Sequence, residues 1–218
     1  MRKYFTNIIF LCFCGLLLGQ TPTPMVTIKG GSYVPLYGVK GENKATKPIN
    51  VKSFQLDIYP VTNAKYKAFL EKHPEWQRSQ VKGIFAQKSY LSHWQSDLDF
   101  SPLEAQAPVT HISWFAAKKY CECEGKRLPT TDEWEYVAQS DAQSIDARKK
   151  KRYQEYIVRS MQTPKTYLQK VGSTPKNYWG VYDMHGLVWE WVADFNSVLL
   201  SGDSRKDKQG DDALFCGG

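Results

Sequence analysis

Apolar positions along this chain change their spacing several times, and each change marks an element. Residues 25–28 and 31–33 read as two short strands around a turn at Gly30-Gly31. Lys40 to Lys47 is polar and reads as a loop. Val51, Phe54, Leu56 and Ile58 fall mostly on alternate positions and predict one strand over 50–59, broken by Pro60. Thr62 then caps a helix over 63–72, with Tyr66, Phe69, Leu70 and His73 on one face and Pro74 closing it. Residues 75–107 are aromatic without a period and read as loops. Ser113 caps a second helix with Trp114, Ala117, Tyr120 and Cys121 on its apolar face, and Gly125 stops it. Thr130 and Glu133 are spaced as a capping box for a third helix over 131–139, which turns Trp134 and Val137 inward. Arg127, just before it, is placed to neutralise Glu133 or Glu135. A charged stretch over about 141–160 predicts a fourth helix. His93 and His111 stand singly among aromatics and read as hydrogen-bonded core residues.

The first twenty residues break this pattern. Arg2 and Lys3 precede an apolar run from Ile8 to Leu18, too short to span a bilayer comfortably, and polar Thr21-Pro22-Thr23-Pro24 follows. This is the layout of a secretory signal over residues 1–20, cleaved near Gly19 or Gln20. The expectation is a secreted or periplasmic protein with no transmembrane domain after cleavage. Loss of Arg2 and Lys3 leaves 27 basic against 22 acidic residues, a net +5. The run Arg148-Lys149-Lys150-Lys151-Arg152 accounts for that excess and reads as a solvated helix face or loop, and export argues against nucleic acid as a partner. Three cysteines remain, Cys121, Cys123 and Cys216. The first two are too close along a helix to pair with each other.

The densest chemistry lies in Tyr182 to Asn196, where Trp189 and Trp191 flank Glu190. A buried acid must be paired, hydrogen-bonded or metal-bound, and both tryptophans suggest a buried segment. Val188, Gly186 and Asp183 lie two, four and seven positions before Glu190. Carboxylates from Asp183 and Glu190, with carbonyls from Gly186 and Val188 if the chain curls, make an all-oxygen set suited to calcium. On spacing alone, Asp183 capping a turn and Glu190 meeting a lysine or arginine is the commoner arrangement, since carboxylates and glycines are frequent in turns.

Residues 108–138, PVTHISWFAAKKYCECEGKRLPTTDEWEYVA, resemble the central signature of the formylglycine-generating enzyme, or sulfatase-modifying factor, family. Residues 186–195, GLVWEWVADF, resemble its second signature, and MVTIKGGSY followed by FQLDIYPVTNAKYKAFL resembles its opening. The resemblance implies one α+β domain over 21–218, a C-type-lectin-like variant with short strands and helices and much irregular structure. It also implies a calcium site at Asp183, Gly186, Val188 and Glu190, with Asp183 where the family usually has asparagine. Two departures stand out. A charged insertion over about 140–172 replaces elements that build a further calcium site in the family, which implies that this site is absent. The family's arginine-glycine-glycine-serine motif, which precedes two copper-binding cysteines, is matched only by Cys216-Gly217-Gly218, with Cys216 in the arginine place. Any copper cysteines would follow residue 218. The resemblance therefore implies one of two roles. The first is an accessory or binding domain without assignable catalytic residues. The second is a copper-dependent oxidase that converts a cysteine of an exported protein or peptide to formylglycine.

Overall fold

The computed structural model describes residues 23–36, 47–162 and 169–194. The segment expected as a signal over 1–20, most of the loop expected over 40–47, and Cys216 with the last two glycines lie outside them. Among the described residues, four strands, four α-helices and two short 3-10 helices make an α+β chain.

The strands are β1 (Met25–Ile28), β2 (Gly31–Tyr33), β3 (Ile49–Val51) and β4 (Phe54–Asp57). β1 pairs antiparallel with β4, placing Met25 opposite Asp57 and Ile28 opposite Phe54. β2 pairs antiparallel with β3, placing Gly31 opposite Val51 and Tyr33 opposite Ile49. Gly30-Gly31 is therefore not a hairpin turn, and the strand expected over 50–59 is two strands. Both interruptions have one cause. The Gly30 N–H donates to the Ser53 hydroxyl at 2.9 Å, and a Cβ on Gly30 would sit 2.4 Å from the Val51 carbonyl oxygen. The two backbones touch there, so the ladder breaks on both sides at the same level.

The first three helices form where caps and periodicity place them. In α1 (Asn63–Lys72), the Thr62 hydroxyl accepts from Lys65 N–H, and Tyr66, Phe69 and Leu70 are buried. In α2 (Trp114–Cys123), Ser113 accepts from Ala116 N–H at 3.1 Å. In α3 (Thr131–Ala138), both halves of the capping box are made, at 3.2 and 2.9 Å. Arg127 bonds Glu133 through two contacts of 2.6 Å. Glu135 instead accepts from Leu36 N–H and the Tyr33 phenol.

The fourth helix, α4, runs Lys151–Gln162 and starts later than the charge pattern suggested. Asp141 accepts from the amides of Gln143 and Ser144, and Asp146 accepts from Arg148 N–H. These local bonds hold 141–148 in turns, as aspartate does when it competes with helix formation. The basic run is exposed from Lys149 to Arg152, as expected, while Arg148 is half-buried. Arg148 bonds Asp146 and the Val34 carbonyl, and Lys150 bonds Asp141 at 2.7 Å.

Two cores follow. One joins α1, α2 and the aromatic loops through Tyr66, Leu70, Tyr90, Trp94, Ala116 and Tyr120. The other joins the strands to α3 and the chain's later segment through Ile28, Val51, Tyr136, Val137, Val181 and Met184. His93 and His111 belong to neither. Both are exposed, with ring centroids 4.9 Å apart, and His111 adopts a left-handed φ of 54°. Histidine tolerates that region better than most residues, and the turn carries the ring out of the core.

Candidate metal centre

The stretch from Tyr182 to Asp194 has little regular structure of its own, so other elements hold it. Tyr182 N–H donates to the Ile58 carbonyl just after β4, at 3.0 Å. The Trp114 indole at the start of α2 donates to the Val192 carbonyl at 2.8 Å. The Trp191 indole donates to the Ile112 carbonyl at 3.0 Å. Ala193 N–H donates to the Pro129 carbonyl, and Asp194 accepts from the amide and hydroxyl of Thr131 at the start of α3. The segment is pinned at the entrances of two helices.

Within it the chain curls twice through the left-handed region, at Asp183 (φ 62°) and Gly186 (φ 90°). Asp183 is fully buried. Its carboxylate accepts from the amides of Gly172 and Thr174, and its own N–H donates to the Thr174 hydroxyl at 2.7 Å. The turn-capping role that spacing allowed for Asp183 is therefore real.

Glu190 behaves differently. No lysine or arginine among the described residues pairs with it. It accepts from the Trp134 indole at 2.7 Å. Its carboxyl group is enclosed, and burial lifts its pKa to about 7, with the Asp183 charge adding to the rise and the indole bond opposing it.

The two tryptophans do not share an environment. Trp191 is half-buried, whereas Trp189 is 89% exposed. Because Glu190 turns inward, its neighbour Trp189 turns out, and the expected pair of buried tryptophans is not formed. Trp189, Glu190, Trp191, Trp134, Tyr66 and Leu128 line part of a cavity of about 600 Å³.

Among the described residues, no three His, Cys, Asp or Glu side chains converge as a metal cluster. A site here needs carbonyls as well as carboxylates. The donors present fit calcium in chemistry. Two enclosed carboxylates oppose each other's charge, and the chain turns through the left-handed region at Asp183 and Gly186. Asp183 keeps capacity beyond its two amide donors, since each carboxylate oxygen has two lone pairs. A soft-metal site is not supported by the described thiols. Cys121 is half-buried and its thiol is pushed up to about 11, by burial first and then by Asp57. Cys123, two residues on, is exposed.

Sequence reasoning missed three participants: Thr174, the Trp134 indole, and His185 with its contacts to α4. Trp134 carried a signal, because a buried indole N–H needs an acceptor. Thr174 carried none.

The α+β chain with a carboxylate-bearing loop pinned between helix entrances defines a class, and residues 18–218 match the sulfatase-modifying factor enzyme 1-like domain. The chain belongs to that family. It is 34% identical over 179 residues to a protein named serine/threonine-protein kinase pkn1 from Chlamydia pneumoniae, covering 79% of this chain and 28% of the relative. It is 28% identical to the inactive C-alpha-formylglycine-generating enzyme 2 of Mus musculus, covering 85% of this chain and 74% of the relative. It is also 28% identical to the formylglycine-generating enzyme of Mus musculus, covering 90% of this chain and 65% of that enzyme. The chain thus spans just over a quarter of the kinase-named relative's length.

Proposed function

We propose that this chain is an exported, calcium-binding domain of C-type-lectin-like topology whose role is accessory or binding. Calcium sits at Asp183, Gly186, Val188 and Glu190 and supplies the positive charge that offsets burial of the two carboxylates. The observation that carries this reading is the enclosed Glu190, which lacks a basic partner among the described residues and lies close enough to Asp183 for their charges to oppose each other. Supporting the accessory role, the described thiols offer no thiolate pair, and one relative is named as inactive. The partner would be another exported protein or peptide.

A second reading is favoured by the match to the formylglycine-generating enzyme over 90% of this chain. In that reading, cysteines following residue 218 bind copper(I), which suits soft thiolate ligands, and the protein oxidises a substrate cysteine. One experiment separates the two. The full-length gene product is loaded with copper and incubated aerobically with a cysteine-containing sulfatase peptide, and the peptide is then weighed by mass spectrometry. Unchanged peptide mass supports the accessory role, and conversion of the cysteine to an aldehyde overturns it. Calcium is tested separately, by isothermal titration into chelator-treated protein. Heat of binding is expected, and its absence would remove the metal.

A further inference from the structure

Helix α4 lies across the back of the candidate calcium loop, although it comes from the charged insertion that departs from the family pattern. Four contacts join them. The Tyr156 phenol donates to the His185 carbonyl at 3.3 Å. The same phenol lies beside the Thr174 hydroxyl, which accepts from Asp183 N–H at 2.7 Å. The Tyr153 phenol meets His185 Nε2 at 3.1 Å, and both groups meet the Ala138 carbonyl. Finally, a Cβ built on Gly186 would lie 3.0 Å from Ser160 Cβ. The Asp183 amide, the Thr174 hydroxyl, the Tyr156 phenol and the carbonyl of residue 185 thus lie in sequence along this side of the loop. They bracket the two left-handed turns on which the metal donors depend.

We infer that Tyr156 is a positioning residue for the calcium loop, with α4 acting as the brace that sets the curl of residues 183–186. The inference rests on the calcium reading above. The reason is geometric. Carbonyl ligands at Gly186 and Val188 must be aimed by their backbone, because they have no rotamers to adjust. The peptide between residues 185 and 186 carries both the carbonyl that Tyr156 holds and the amide of Gly186. Ser160 stands hard against Gly186, so the loop cannot swing toward the helix. The outer face of α4, including Val158 at 52% exposure, takes no part in this bracket.

The test uses the whole chain. Calcium affinity is measured by isothermal titration for wild type, Y156F and the outer-face control V158S. Each is also melted in excess chelator. Terbium, bound in place of calcium and excited through tryptophan, reports the loop's geometry by its emission lifetime. Losing one hydrogen bond is expected to weaken calcium binding roughly three- to tenfold in Y156F. Its terbium lifetime should shift, its chelated melting temperature should stay near that of wild type, and V158S should match wild type throughout. Unchanged affinity and lifetime in Y156F would overturn the inference and leave the calcium reading intact. A parallel drop in affinity and chelated melting temperature would reduce Tyr156 to ordinary scaffolding and overturn it as well. If wild type takes up no calcium, the calcium reading itself fails, and this inference with it.

Discussion

Glu190 carries a proton longer than an exposed glutamate does, and this has a pH signature. Its pKa is lifted by burial from 4.5 to about 7. The folded state therefore binds the proton more tightly than the unfolded chain. Metal-free stability should fall as pH rises from about 4.5 through 7, and the loss should be complete above 7. At 1.36 kcal/mol per unit, the loss is at most roughly 3 kcal/mol. Glu190→Gln removes the titrating group while keeping an acceptor for the Trp134 indole. In chelator, the variant should lack that slope and equal or exceed wild type above pH 7. Urea melts at pH 5 and 8 decide this, and parallel curves for the two proteins would show that Glu190 does not titrate in that window. Asp183 is a different residue. Its carboxylate is committed to the Gly172 and Thr174 amides, so Asp183→Ala should cost about 1–3 kcal/mol through orphaned buried donors. Asp183→Asn should cost less, because one amide acceptor survives.

Elements in this chain are set by short-range chemistry and then bent by contact. The ribbon of β1, β2, β3 and β4 breaks where Gly30 meets Val51, with no room for a Cβ. Gly30→Ala should lower stability by about 1–3 kcal/mol, the usual cost of overpacking, as read from thermal melts. A neutral result would mean that the ribbon relaxes there easily. The basic run before α4 divides in the same way. Arg148 bridges Asp146 and the Val34 carbonyl, whereas Lys149 makes no such bridge. Arg148→Ser should therefore lower the melting temperature more than Lys149→Ser, whose effect should stay within about 0.5 kcal/mol. Equal effects would make the whole run a solvated face.

At the scale of the molecule, the calcium reading predicts a coupling between metal and stability. A ligand that binds only the native state stabilises it by about 2.7 kcal/mol at a hundredfold excess over its dissociation constant. Chelator should lower the melting temperature, calcium should restore it, and Glu190→Gln should abolish the response. Asp183→Asn should only reduce it. A melting temperature indifferent to calcium in the wild type would remove the metal from the fold's stability. Export predicts a mature N-terminus near Gln20 or Thr21, to be read by mass spectrometry of the processed protein. A product retaining Met1 would sink that expectation.

The sequence alone determined what is encoded within a few residues. Thr62, Ser113 and the Thr130–Glu133 pair announce helix starts because a cap and its amide lie three positions apart. The faces of α1, α2 and α3 were legible because a helix repeats every 3.6 residues. Asp183 and Glu190 stood out as acids needing compensation. Only the tertiary structure decided who compensates them. Trp134 meets Glu190 across 56 positions of chain, and Thr174 meets Asp183 in a loop with no periodic signal. Likewise, nothing local distinguishes Trp189 from Trp191. One faces solvent and the other the entrance of α2 because Glu190 turns toward α3. Caps and faces are properties of a short segment. The partner of a buried group is a property of how distant segments cross, and no run of neighbouring residues contains it.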